Sequence, residues 1–470
     1  MKRRQLLLGS AAAGVALAAQ SWLGGGASAA VNSDVIVIGA GLAGLAAAHR
    51  LEANGRRVQV VEARTRVGGR LHTVQRQGLG FDLGGVEVGL GYARVAAHAE
   101  RLAVALQPPD GSPRRPSATS MMIGGQTVSS ADWADSPLNP MSGRERMAPM
   151  ALLGAALAAE EPLLAEVSQW RSESLNHLDI PLWQHLAAQG WSPQALAWME
   201  VGGNFESLRG ASTLDALRRA ALRRNGPQGT LRIEGGSQRL PEAMAAALNS
   251  PPLLGTAVLA IEQKRRGVDV HCADGSTLRA AHAVVAIPCG PLMRIRFDPA
   301  PSALHLQAWS VRPHTAVTVI HLRPTRAFWE DDGLPLPMWI DGAVERVFPV
   351  ADSAGGIERL IVWINGRQAR LTDRLAPAEL KRWILLELSR LRPASAGALE
   401  LLAVARWGAD PYADGAFAEI AAGGVIAATR AEALSFDRIE FAGEHTVFDE
   451  PGMEAALASG ERAADRLLRV

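Results

Sequence analysis

The pattern of apolar and polar positions is most regular just after residue 33. Asp34-Val35-Ile36-Val37-Ile38 is a short β-branched run of the kind a fully buried strand needs, and it leads directly into Gly39-Ala40-Gly41-Leu42-Ala43-Gly44. An Ala- and Leu-rich stretch keeps helical character to about Ala53, and a second β-branched run, Arg57-Val58-Gln59-Val60-Val61, ends at Glu62. Strand, glycine turn, helix, strand and acid follow in the order that a βαβ dinucleotide site requires. Gly39 permits the tight turn, Gly41 lets a pyrophosphate approach the backbone, and Gly44 lets the helix pack close to the strand with its N-terminus facing the phosphates. Glu62, 23 residues after Gly39, can accept hydrogen bonds from both hydroxyls of a ribose. Further along, the runs from Thr256 to Ile261, Val268 to Val270 and Ala283 to Pro288 alternate with turns and predict three more strands. Pro108 to Pro113 has the composition of a loop, and Met147 to Trp170, rich in Ala and Leu, predicts a long helix.

A length of 470 residues points to two domains, and 48% hydrophobic with 20% charged residues excludes disordered and low-complexity classes. The net charge is +1, and leaving out Lys2, Arg3 and Arg4 brings it to −2, so nucleic acid is not an expected partner. Those three basic residues precede an apolar run from Leu6 to Leu23 and the small residues Ala27-Ser28-Ala29, which together read as a cleavable export signal over residues 1–30. Its Arg-Arg pair resembles a twin-arginine signal, whose pathway carries folded proteins, so a periplasmic or secreted location is expected. No other stretch has the length and apolarity of a membrane span, and stable membrane insertion is not expected. Cys272 and Cys289 are the two cysteines, without CxxC or metal-ligand spacing, and the eleven histidines form no HxH or HxxxH cluster, so no metal is implied.

The segment after the second strand separates one dinucleotide from another. Glu62-Ala63-Arg64-Thr65-Arg66-Val67-Gly68-Gly69-Arg70 and then Asp82-Leu83-Gly84-Gly85 resemble the flavin-containing amine oxidases, the family of monoamine, polyamine and L-amino-acid oxidases. Glu234-Gly235-Gly236-Ser237-Gln238-Arg239-Leu240-Pro241, the run Arg406 to Gly415 and Phe441-Ala442-Gly443-Glu444-His445-Thr446 are similar to the same family. The resemblance implies an α/β fold in which a Rossmann-type FAD-binding domain (31–107, 231–298 and 404–470) is interleaved with an α+β substrate-binding domain (108–230 and 299–403). It implies noncovalent FAD, because Ala416 stands where monoamine oxidases carry the cysteine that bonds to the flavin. Residues implied to hold FAD are Gly39, Gly41, Ala43, Gly44, Glu62, Ala63, Arg64, Gly69 and Arg70, then Gly84 and Gly85 against the flavin ring, with Val258, Gly443, Glu444, Gly452 and Met453.

Amine oxidation asks the protein mainly to align the substrate's α-carbon with flavin N5 in a desolvating slot. By resemblance that slot is built from Trp407 and Phe417, with Tyr412 between them in the chain. The second aromatic wall of the family falls in Glu450-Pro451-Gly452-Met453-Glu454, which is one residue shorter, so a wider site is expected there. Glu87 occupies the segment in which L-amino-acid oxidases place an arginine for the substrate carboxylate, which favours an amine or polyamine over an amino acid. Phe205 and Glu206 are further candidates for the same pocket. Most family members also carry a lysine about ten residues before a Phe-Trp pair, where it assists reaction with oxygen; before Phe328-Trp329 there is none, and Ala316 or Thr318 is expected at its position.

The expected function is therefore oxidation of a carbon–nitrogen bond to an imine by hydride transfer to the flavin, in an exported enzyme. Its partners would be a small-molecule amine and, as acceptor, oxygen, a quinone or an electron carrier; a homodimer is compatible with the sequence. An L-amino-acid oxidase, a desaturase of the protoporphyrinogen oxidase or carotenoid desaturase type, and a non-catalytic FAD-binding protein are the competing readings.

Overall fold

Two sheets position the site in the computed structural model, which describes residues 33–109, 118–160, 167–352, 354–431 and 436–469. The export signal expected at residues 1–30 lies outside these, as do residues 110–117 of the loop and 161–166 of the long helix expected between Met147 and Trp170.

The first sheet is centred on strand Ser33–Ile38, which pairs in parallel with Val58–Val61 on one side and Thr277–Val285 on the other. Val35 to Ile38 are buried on both faces, which is why the run is continuous rather than alternating. Val35 and Val37 pack under helices Leu42–Glu52 and Gly452–Leu468, whereas Ile36 and Ile38 pack toward Ile261, Phe297 and Trp309. The antiparallel strands Val258–Lys264 and Gly267–Cys272 extend the sheet beyond Thr277–Val285, and Ile439–Phe441 runs parallel to that strand's C-terminal half. Ile38, Val61 and Val285 therefore end at one edge, the place where open parallel sheets bind ligands. Gly44 is required here: a Cβ on it would lie 1.9 Å from the carbonyl oxygen of Gly39.

The second sheet has the strand order Leu399–Arg406, Val317–Pro324, Ile357–Asn365, Arg346–Ala351, Met338–Ile340, Ser120–Ile123 and Gln126–Ser129. Helix Pro377–Leu391 covers one face through Leu380, Ile384 and Leu388, against Ile320 and Leu322. A helical layer that includes Pro193–Gly202 and Thr213–Asn225 forms a separate core around Trp133, Trp170, Trp198 and Trp339. Strand Leu399–Arg406 pairs with Val317–Pro324 up to the Arg406–Thr318 position, so it crosses the border expected at residue 404. The chain rejoins the first sheet at Ile439–Phe441.

The helix expected from Met147 to Trp170 is a shorter one, Pro149–Ala159, and Val167–Arg171 is a 3₁₀ turn. Composition favoured a long helix, but Pro162 follows in the sequence. A proline cannot supply the helical N–H, and its ring clashes with the carbonyl four residues earlier.

Candidate active site

A cavity of about 1550 Å³ opens at the C-terminal edge of the parallel strands and extends to helix Thr213–Asn225. This exceeds the roughly 300–1,000 Å³ of an ordinary small-molecule pocket, leaving room for a dinucleotide and a substrate together. At the dinucleotide end Glu62 is held from two sides: its Oε2 accepts from the Ala40 amide at 2.8 Å and its Oε1 from the Arg64 amide at 2.9 Å. Gly41 caps helix Leu42–Glu52 and faces open space, and the helix has no acid in its first turn, so its orphan N–H groups remain available to a phosphate. Ala43, Ala63, Gly69 and Val258 line this end. Gly39 lines it as well, while Gly44 does not and serves the helix packing beneath. The donors, the open turn and the oriented carboxylate fit a dinucleotide of the FAD type.

Tyr412 belongs to this end too, and not beside Phe417. Arg64 Nη2 bonds Asp410 Oδ1 at 2.6 Å, the Tyr412 amide donates to the same oxygen at 2.8 Å, and the Arg64 guanidinium lies 5.4 Å from the Tyr412 ring centroid. The Asp410-Pro411 turn folds the tyrosine back over Arg64, which proximity in the chain to Trp407 does not reveal.

At the other end Trp407, 5% exposed, donates through Nε1 to the carbonyl of Leu83 at 2.9 Å. The Gly84 backbone is clamped between Trp407 and Arg70, since a Cβ there would lie 1.9 Å from the Arg70 carbonyl oxygen and 3.1 Å from Trp407 Cζ2. Gly85 approaches Met453, whose Cε would be 3.6 Å from a Cβ at that glycine, and both line the cavity. Arg70 Nη1 donates to the Ala416 carbonyl at 2.8 Å and to Glu444 Oε1 at 2.9 Å, and the Ala418 amide donates to that same carboxylate oxygen at 3.0 Å. This pair fixes residues 416–418 and thereby presents Phe417 to the cavity. Ala416 has no thiol, and Cys289, buried behind Pro288 and Pro291, has its thiol pushed up to about 12 by burial.

Burial opposes the charge on Glu444, but the Arg70 guanidinium outweighs it and holds the carboxyl well below the usual range. His314 and His445 stand beside Glu444, with one donor atom of each residue within 4.8 Å of the others. The sequence shows no metal-ligand spacing, and the fold assembles this trio from distant segments. Its carboxylate oxygen is already taken by Arg70 and Ala418, and burial pushes His445 down to about 3 and His314 well below its ordinary value. Residues 416–418 are therefore anchored by an ionised Glu444, beside which the two imidazoles stay neutral.

Several other side chains sit elsewhere than expected. Phe205, 8% exposed, is packed in the helical core and is not part of the cavity lining. Glu206 accepts from the Ala316 amide at 2.8 Å and bonds Arg370 of helix Gly366–Thr372, and it is not part of the cavity lining. Strand alternation separates the residues before Phe328-Trp329 by face: Ala316 is in the core and Thr318 donates to Asp373 Oδ1 at 2.6 Å, whereas Val317 and Val319 point to the other face with Trp407. Val319 is the one of these four that lines the cavity. Gly452 lines it with φ +50°, and a Cβ there would lie 3.4 Å from Tyr92 Oη, so the aromatic residue that reaches this part of the lining is Tyr92, from another segment. Gly443 and Glu87 are also in the lining, and Glu87 is exposed with no ion pair among the described residues.

Arg218, Arg219, Arg223 and Arg312 were not anticipated from the sequence, yet all four line the cavity. The signal that was available is the pair Arg218-Arg219 followed by Arg223-Arg224 on a helix whose other face, Leu214, Leu217 and Ala221, is apolar.

Residues 42–468 match the family described as flavin containing amine oxidoreductase. An L-amino-acid oxidase of Siganus canaliculatus is 27% identical, covering 93% of this chain and 85% of the relative. The flavin-containing amine oxidase B of Homo sapiens is 26% identical over 93% of this chain and 86% of its own length. Cyclohexylamine oxidase from Brevibacterium oxydans superposes with a TM-score of 0.75 at 23% identity, covering 93% of this chain and 99% of that structure.

Proposed function

Because this chain belongs to the flavin-containing amine oxidoreductases and is an FAD-dependent oxidoreductase acting on CH–NH groups, we propose that it oxidises the carbon–nitrogen bond of an amine held between Trp407, Phe417 and Tyr92. Bound FAD supplies the two-electron acceptor, and the substrate leaves as an imine that water converts to a carbonyl compound and the freed amine. The observation that carries the reading is the continuity of one cavity, with Glu62 and the open Gly41 turn at one end and the aromatic walls at the other. Phe417 and Tyr92 exclude water and desolvate the nitrogen, Trp407 holds Gly84 in place, and the Arg70–Glu444 pair sets the position of Phe417. Glu87 supplies an acid on the cavity wall that suits the substrate's ammonium before it loses its proton.

With Val319 at the lysine position, reaction of the reduced enzyme with oxygen is expected to be slow, and a quinone or electron carrier is the preferred acceptor in this proposal. Export as a folded, FAD-loaded protein follows from the Lys2-Arg3-Arg4 segment and the apolar run behind it. The test is anaerobic addition of a panel of amines to the FAD-loaded protein. Loss of the flavin's visible absorbance with carbonyl product supports the reading, and an unchanged flavin across monoamines, polyamines and amino acids removes it.

A further inference from the structure

The charges on the cavity wall are unevenly balanced. Arg94 is answered by Glu450, Glu454 and Glu461, and Arg218 by the buried Asp215, whose Oδ1 accepts from Arg218 Nε at 3.0 Å. Arg219 has no such answer. Its Nη2 donates to the Asn204 carbonyl at 3.2 Å, its Nη1 is buried with no acceptor, and it forms no ion pair among the described residues. Two buried acids feel its charge without pairing with it: Asp215, which is bonded to Arg218, and Glu419, which burial pushes up to about 7 against the influence of Arg219 and whose Oε2 is already taken by the Glu206 amide and Thr315 Oγ1.

The guanidinium is also held in a definite place. It lies 4.7 Å from the ring centroid of Phe205 beneath it and 5.5 Å from that of Phe417, the aromatic wall of the amine slot. A cation there repels an ammonium and attracts an anion. Arg312, 4% exposed, brings another guanidinium with unpartnered Nε and Nη1 into the same cavity. Acids at Glu87, Asp449, Glu450 and Glu454 line it elsewhere, so the cavity carries both signs of charge.

We propose that Arg219 is the specificity-determining residue for a carboxylate on the carbon that bears the substrate nitrogen, so that the substrate class is an α-amino acid, read from helix Thr213–Asn225 and not from the segment after Gly84-Gly85, where Glu87 stands. The proposal rests on the amine-oxidation reading above. Phe205 is a positioning residue in it, since it supports the guanidinium without reaching the cavity.

Matched pairs that differ by the carboxylate alone provide the test: L-phenylalanine against 2-phenylethylamine, and L-tryptophan against tryptamine. FAD-loaded wild type, Arg219→Met and Arg219→Lys are compared by anaerobic flavin reduction, and benzoate, which cannot be oxidised, is titrated by calorimetry. The expected result is preference for the amino acid in wild type, a fall in that preference by about 10²-fold in Arg219→Met, a smaller fall in Arg219→Lys, and a parallel loss of benzoate affinity. A wild type that prefers the amines, or a preference that survives in Arg219→Met, overturns the proposal. A merely structural arginine would instead lower both members of each pair together. If neither member reduces the flavin, the amine-oxidation reading falls, and Arg219-dependent benzoate binding then decides the carboxylate site by itself.

Discussion

Replacing Arg70 by Met tests the anchor that sets Phe417. Two hydrogen bonds are lost, one to the Ala416 carbonyl and one to Glu444 Oε1. The first is worth about 1 kcal/mol. The second leaves Glu444, 15% exposed at its side chain, without its countercharge, and breaking one half of such a pair typically costs about 3–5 kcal/mol in all. Urea unfolding in excess FAD should therefore show Arg70→Met destabilised by about 3–5 kcal/mol at neutral pH. In Arg70→Met/Glu444→Gln all but about 1–2 kcal/mol should return, because no buried carboxylate remains. The pH dependence has a definite sign. In wild type the Glu444 carboxyl is held well below its usual range, so its contribution is present above the ordinary carboxylate value and is lost only as pH falls through the lowered one. In Arg70→Met burial without the guanidinium moves the Glu444 carboxyl upward, so the variant is penalised as pH rises from the ordinary carboxylate value toward that raised point and regains the loss as the carboxyl takes up a proton below it. The gap between variant and wild type should accordingly shrink as pH falls from 7 toward 5. A loss below about 1 kcal/mol, or a double variant no better than Arg70→Met, would refute the reasoning.

Three other predictions follow from separate parts of the molecule. Val319→Lys places an ammonium on the cavity face of its strand and should accelerate reoxidation of the reduced enzyme by oxygen by about 10²-fold, whereas Thr318→Lys should not; mixing reduced enzyme with aerated buffer measures both. Burial pushes Glu345 up to about 8, so wild type loses stability as pH rises from the ordinary carboxylate value toward that point, and Glu345→Gln should gain on it by about 1.4 kcal/mol per pH unit between ~pH 5 and ~pH 8 in thermal or urea unfolding. Arg3→Lys/Arg4→Lys should retain the protein in the cytoplasm of a bacterial host, while wild type is recovered outside it on fractionation.

The dinucleotide end was legible because its signals are local. A β-branched strand, a glycine turn, a helix and an acid are all set within 30 residues of one another, and each has one physical reason to be there. The substrate end was less legible because its residues come from segments whose docking depends on packing. Arg219 reads as an exposed helical arginine until helix Thr213–Asn225 is placed against Phe417. Tyr92 enters the lining beside Gly452 from a segment that the sequence does not connect with it. Val319, and not Ala316 or Thr318, faces the cavity because strand alternation, and not counting back from Phe328, sets the direction of a side chain. Tyr412 is near Trp407 and Phe417 in the chain, but a turn at Asp410 carries it to Arg64, and Phe205, a further candidate for the pocket, is buried beneath Arg219.

In the proposed reaction a carbon–hydrogen bond beside nitrogen is broken in the slot bounded by Phe417 and Tyr92. Its most direct test is anaerobic rapid mixing of the FAD-loaded enzyme with a substrate from the matched pairs, either protiated or deuterated at the carbon bearing nitrogen. Flavin reduction should be several-fold slower with deuterium and strongly impaired in Phe417→Ala. Reduction insensitive to both changes, or no reduction by any substrate of the panel, would contradict it.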